Sequence, residues 1–158
     1  MDQATREQAT PDQATQKSGS GQCLCGAVRY QVTGRLRPVI ACHCSQCRRA
    51  TGNFMTATAA MSGDLAIEGA ENLTWFTSSD TARRGFCRIC GSNLFWEGNG
   101  LSYVSITAGS LDSPTGLTLD RHIFVADKGD YYTIADGVPQ SQAFEDYDPT
   151  PPQNGSAE

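Results

Sequence analysis

Seven cysteines in three tight groups constrain this chain more than any other feature: Cys23-Leu24-Cys25, Cys42-His43-Cys44-Ser45-Gln46-Cys47 and Cys87-Arg88-Ile89-Cys90-Gly91. A disulfide framework does not suit them. Their number is odd, the pairs are nearly adjacent, and no export signal precedes them. A thioredoxin-type redox motif needs a βαβ setting that the surrounding sequence lacks. Inert buried thiols would have no reason to recur at i+2 and i+3.

Metal binding accounts for the spacing. In an extended segment residues i and i+2 face the same side, so Cys23 and Cys25 can turn toward one ion. Cys87 and Cys90, followed by Gly91, have the spacing of a knuckle that wraps a metal with two thiolates. Together the pairs form a Cys₄ set, the composition of a closed structural zinc site. Such a site would clamp the first strand region to a distant hairpin and close a long loop. In the middle group Cys42 and Cys44 share one face of an extended stretch, His43 points the other way, and Cys47 returns from the following turn. Three thiolates with no evident fourth ligand describe an open zinc site, able to hold water or an exchangeable substrate group. The C-x-C spacing fits neither usual ferredoxin pattern. Arg48 and Arg49, directly after Cys47, can offset thiolate charge.

At 158 residues the chain has room for one domain with tails. Residues 1–20 repeat Asp-Gln-Ala-Thr-like blocks every five residues, a period that matches neither a helix face nor a strand face. With no large apolar side chain there, a disordered tail is expected. Residues 145–158, with three prolines, are expected to form a second disordered tail. These two segments carry −1 and −4 of the net charge of −5, so residues 21–144 are neutral. A neutral domain has no basic footprint for nucleic acid. No apolar run is long enough to span a membrane, and no apolar signal segment is visible, which makes a cytoplasmic location the expectation. Within the domain, short apolar or alternating runs are punctuated by Gly, Asn, Asp and Ser. Strands are expected at 27–32, 54–61, 65–67, 73–76, 93–96, 101–107 and 122–125, with others near 83–86 and 131–134. The only helical turn expected is 45–50, stopped at Gly52. The fold class is therefore mainly β.

Three segments resemble the glutathione-dependent formaldehyde-activating enzyme family, which includes the centromere-protein-V domain. They are Gly21-Gln22-Cys23-Leu24-Cys25-Gly26-Ala27-Val28, Cys42-His43-Cys44-Ser45-Gln46-Cys47-Arg48 and Phe86-Cys87-Arg88-Ile89-Cys90-Gly91-Ser92. The resemblance covers residues 21 to about 140. It implies a β-tent fold of short antiparallel strands with two zinc ions per chain. Cys23, Cys25, Cys87 and Cys90 would hold a structural zinc, and Cys42, Cys44 and Cys47 a catalytic one. It also implies carbon–sulfur lyase chemistry of the kind that joins glutathione and formaldehyde as S-(hydroxymethyl)glutathione. Glutathione, a small-molecule thiol, is then the expected partner, and Arg48, Arg49, Arg83 and Arg84 are candidates for its carboxylates.

His43 is a candidate for acid–base duty beside the catalytic zinc. His122, before the apolar run Ile123-Phe124-Val125, reads as a hydrogen-bonded structural residue. Phe86, Phe95, Trp96 and Tyr103 read as core around the clamp. No phosphate-binding loop or Ser/His/Asp arrangement is present. The alternative to an enzyme is a non-catalytic zinc scaffold, in which His122 or a carboxylate would close the second site.

Overall fold

The computed structural model describes residues 18–144 and 147–153. Most of the expected N-terminal tail, and residues 145–146 and 154–158 of the C-terminal one, lie outside the described residues. Among the described residues the chain forms ten strands and one α-helix. The strands are β1 (Gly19–Gln22), β2 (Arg29–Val32), β3 (Val39–Cys42), β4 (Met55–Met61), β5 (Leu65–Glu68), β6 (Leu73–Ser79), β7 (Ala82–Cys87), β8 (Asn93–Gly98), β9 (Tyr103–Thr107) and β10 (Leu119–Ile123). The helix α1 (Ser45–Thr51) follows β3. A three-stranded sheet runs β1-β2-β5, and a seven-stranded sheet runs β10-β3-β4-β9-β8-β7-β6. All pairs are antiparallel except β10 against β3.

The central strand β4 is buried on both faces, which explains its run of small residues. Side chains alternate along a strand, so each residue commits to one face. Ala60 joins the main core, with Val104 and Ile106 of β9, Phe95 of β8, and Val28, Tyr30 and Val32 from the small sheet. Met55 and Ala57 face the other way, into a second cluster with Ile40, Cys42, Cys47 and Ile123. The seven-stranded sheet thus presents a packed core on one face and the middle cysteine group on the other.

The expected strands differ from the structure at identifiable places. Strand β1 takes in Gly19 and Ser20, assigned by composition to the tail. Its pairing with β2 uses backbone groups and needs no apolar side chain. Strand β3 is hidden in sequence by the cysteine motif that follows it. Residues 131–134 form no strand, and the last strand ends at Ile123. There Phe124 takes a left-handed conformation (φ 55°) that turns the chain out of the sheet. Residues 147–153 lie against the domain: Tyr147 packs on the second cluster and Pro151 is buried.

Gly21 of β1 marks a close approach. A Cβ there would collide with the Tyr30 hydroxyl and the Ser110 carbonyl; the Tyr30 hydroxyl also hydrogen-bonds the Ser110 side-chain hydroxyl (2.7 Å). Gly21→Ala should cost about 1–3 kcal/mol of stability, read as a lowered midpoint in urea unfolding.

Candidate metal centres

The first cysteine group is assembled from two turns. Beyond β1 the chain reverses tightly, with Gly26 N–H donating to the Cys23 carbonyl (3.1 Å) and Cys23 N–H to the Val28 carbonyl (3.0 Å). Beyond β7, Gly91 N–H donates to the Cys87 carbonyl (2.8 Å), and the turn closes through Gly91 at φ 77°. A side chain is strained in that conformation, so glycine belongs there. These turns bring the sulfurs of Cys23, Cys25, Cys87 and Cys90 within 4.8 Å of one another. The Cys23–Cys25 and Cys25–Cys87 separations are 3.6 and 3.8 Å. Thiolates at the corners of a zinc tetrahedron, with Zn–S near 2.3 Å, stand about 3.8 Å apart, so the donor set fits the ion. The surroundings also suit thiolates. Val28 N–H donates to the Cys23 sulfur (3.3 Å), and Ser92 lies 3.2 Å from that of Cys90. The Ser92 hydroxyl, and then its N–H, lower the Cys90 thiol to about 5.

The second group sits where β3 runs into α1. Cys44 caps the helix, its sulfur accepting from Cys47 N–H (3.4 Å). Cys47 lies on the buried side of the first turn. Gly52 ends the helix at φ 87°, and Asn93 reaches across from β8 to the Ala50 carbonyl (2.8 Å). The sulfurs of Cys42, Cys44 and Cys47 lie within 4.8 Å of one another, and among the described residues no histidine or carboxylate joins them. Hydrogen bonds from Cys42, and then Cys47, pull Cys44 down to about 2. Bonding to Cys44 pushes Cys42 up in turn. One negative charge therefore settles readily on the trio, and a cation is needed for the other thiols to ionise alongside it.

Of the four arginines named as candidates, only Arg84 reaches this group. It is buried, and its Nη2 lies 3.6 Å from the Cys47 sulfur and 3.4 Å from Gln46 Oε1. Arg83, on the opposite face of β7, pairs with Glu97 at 2.6 Å and stacks on Trp75. Arg49 is exposed, and neither Arg48 nor Arg49 lines the cavity beside the thiols. That cavity, about 570 Å³, is walled by alternate residues of β3, β4, β9, β8 and β7, with Ile123 at the end of β10 and Ser79 at the end of β6. Ile40 and Cys42 come from β3, Met55 and Ala57 from β4, Tyr103 and Ser105 from β9, Trp96 from β8, and Ala82 and Arg84 from β7. Trp96 and Tyr103 thus line the cavity, whereas Phe95 packs in the core. Arg37, which no sequence signal singled out, also lines it.

His43 turns away from the thiols, as alternation requires, into a buried chain of hydrogen bonds. Its Nδ1 is 2.6 Å from the Tyr132 hydroxyl and its Nε2 is 2.9 Å from His122 Nδ1. His122 Nε2 is 2.8 Å from Asp136 Oδ2. Asp136 is held below its ordinary value by the Val138 N–H and then by His122, so it accepts. Donation then runs one way: Tyr132 O–H to His43, His43 N–H to His122, His122 N–H to Asp136. Burial, and then His122, lower His43, which keeps it neutral in this arrangement. Both nitrogens of His122 are engaged, so it is not available to close the second cysteine group.

Residues 18–127 match the glutathione-dependent formaldehyde-activating enzyme family. A Halomonas elongata protein named as a putative glutathione-dependent formaldehyde-activating enzyme is 30% identical over 72% of this chain and 79% of its own length. An uncharacterized lyase of Schizosaccharomyces pombe is 29% identical over 73% and 84%. A crystal structure of a Rhodobacter sphaeroides protein superposes with a TM-score of 0.52 at 32% identity, covering 60% of this chain and 88% of that one. The chain belongs to the glutathione-dependent formaldehyde-activating enzyme family.

His122→Ala should cost about 1–3 kcal/mol, because the His43 N–H is left without an acceptor in a buried site. Asp136→Asn, which keeps an acceptor, should cost less in the same urea titration. The Asp136 charge stabilises the fold above its unfolded value of 3.8, and that contribution is lost as pH falls through the lower native value.

Proposed function

We propose that this family member is a zinc-dependent carbon–sulfur lyase or synthase acting on the adduct of a small thiol, glutathione-like, with an aldehyde. The observation that carries this reading is the set of three thiols at the wall of an apolar cavity, beside a second set of four thiols away from it. Cys23, Cys25, Cys87 and Cys90 are assigned to a structural zinc. Cys42, Cys44 and Cys47 are assigned to a catalytic zinc, with the β-tent fold that the family resemblance implies. Zinc held by three thiolates lowers the pKa of a thiol in its fourth position and can polarise a carbonyl oxygen.

The chain's own residues set the conditions for that chemistry. Arg84, beside Cys47, balances negative charge that would otherwise accumulate when a fourth thiolate approaches. The apolar walls exclude water from a reactive hemithioacetal. The His43 backbone N–H donates to the Ile123 carbonyl (3.0 Å) and its ring pairs with His122, which together fix the backbone between Cys42 and Cys44. We therefore assign His43 a positioning role. In the synthetic direction one C–S bond forms, the carbonyl π bond opens, and the thiol proton ends on the carbonyl oxygen. No oxidant is needed. Free clustered thiols suit a reducing compartment, and a cytoplasmic location belongs to the same proposal. Among the described residues no helix is long and apolar enough to cross a membrane.

Elemental analysis of the purified protein should find about two zinc ions per chain. Cys87→Ser should abolish cooperative folding, whereas Cys44→Ser should leave a folded chain that retains one tightly held ion. Glutathione should perturb the second site, and S-methylglutathione should not. Equal effects from the two would contradict a thiolate mechanism.

A further inference from the structure

The cavity beside Cys42, Cys44 and Cys47 is much larger than formaldehyde requires, and most of its lining side chains are apolar. Its volume of about 570 Å³ is that of a site for a whole organic molecule. Trp96, Tyr103, Met55, Leu101, Ile123 and Phe124 are among the apolar side chains of its wall. Glutathione would carry two carboxylates, an ammonium group and two amides into this space. The lining polar groups are few, and Gln46 is already committed to Arg84 and to the Ser78 carbonyl. Polar groups buried without partners oppose binding.

Among the described residues, one charged group in the wall has no ionic partner. Arg37 is only 2% exposed, and its Nε has no hydrogen-bond partner. Its other nitrogens make long contacts to neutral oxygens, 3.4 Å to the Tyr147 hydroxyl and 3.5 Å to the Ala57 carbonyl. No carboxylate among the described residues pairs with it. Its backbone is pinned to β4, with Arg37 N–H donating to the Ala59 carbonyl (3.1 Å) and the Thr58 hydroxyl to the Arg37 carbonyl. A buried guanidinium held in place without an anion is a receptor for one.

We infer that the pocket selects a thiol with an aromatic or branched-alkyl body and a single carboxylate, the body lying on Trp96, Tyr103 and Phe124 and the carboxylate on Arg37. This rests on the proposed thiol chemistry of the three-cysteine group. Such a thiol is then preferred over glutathione by this particular chain, and Arg37 is its specificity-determining residue.

The test uses full-length protein loaded with cobalt(II), whose absorption responds to sulfur ligation, titrated with four thiols. These are 2-sulfanyl-3-phenylpropanoate, its neutral amide, 2-phenylethanethiol and glutathione. The carboxylate should bind at least about tenfold tighter than glutathione and about tenfold tighter than its own amide. Arg37→Gln should remove the advantage over the amide and leave 2-phenylethanethiol within about twofold, which also shows that the variant is folded. If that variant does not fold, the acid-to-amide ratio in the unaltered protein decides the matter. Glutathione binding as tightly as the aromatic acid, an acid-to-amide ratio near one, or an acid affinity indifferent to Arg37→Gln would overturn the inference and leave the thiol site standing. If none of the four thiols changes the spectrum, the proposed function itself falls.

Discussion

Alternation of side chains across the seven-stranded sheet sets the terms for everything else in this protein. Along β4, β9 and the middle of β8, alternate side chains face the core and the cavity. The pairing makes this concrete. Thr58 lies opposite Ile106 and Ile106 opposite Phe95, on the core side. Ala59, Ser105, Trp96 and Arg84 form a continuous row on the other side, from β4 to β7. That row ends on the guanidinium that touches Cys47. A shift of register by one residue would exchange the two faces and dismantle core and site together.

The two cysteine groups answer different mechanical needs. The four-thiol group lies where the turn after β1 meets the turn after β7, and so ties the small sheet to the large one. Apolar contacts of Val28, Tyr30 and Val32 with the main core do the rest. The three-thiol group instead hangs from the end of β3 and the first turn of α1, at the boundary between a packed cluster and open space. Its rigidity comes from behind, through the Tyr132–His43–His122–Asp136 chain. That chain crosses from the Cys42–Cys44 segment to β10 and the loop after it. Stiff support on one side and an accessible cavity on the other is the arrangement expected of a site that binds and releases a ligand.

Electrostatics reinforce this division. In the second group Cys44 is lowered and Cys42 raised by their mutual bonding, so the thiol set favours a cation. Arg84 adds a fixed positive charge on the cavity side. Arg37 adds another without a matching anion among the described residues, within an otherwise apolar wall.

The sequence by itself determined which neighbouring thiols act together, Cys23 with Cys25, Cys87 with Cys90, and Cys42 with Cys44 and Cys47, because the i+2 and i+3 spacings are local geometry; the meeting of the first two pairs in one group is decided by the tertiary structure. The sequence also determined the mainly β character and the direction of His43, since alternation along an extended stretch is local too. What it could not carry was anything depending on which strands are neighbours. Strand β1 was invisible because backbone pairing leaves no mark on a Gly-Ser sequence, and Tyr131–Ile134 looked like a strand although nothing pairs with it. Trp96 and Tyr103 read as core in the sequence, and only the register of β8 against β9 turned them to the cavity instead. Arg84 could be distinguished from Arg83 only once the face of β7 turned toward Cys47 was known. The buried isolation of Arg37 follows from the strand and C-terminal residues folded around it, so the tertiary structure alone made it part of a site.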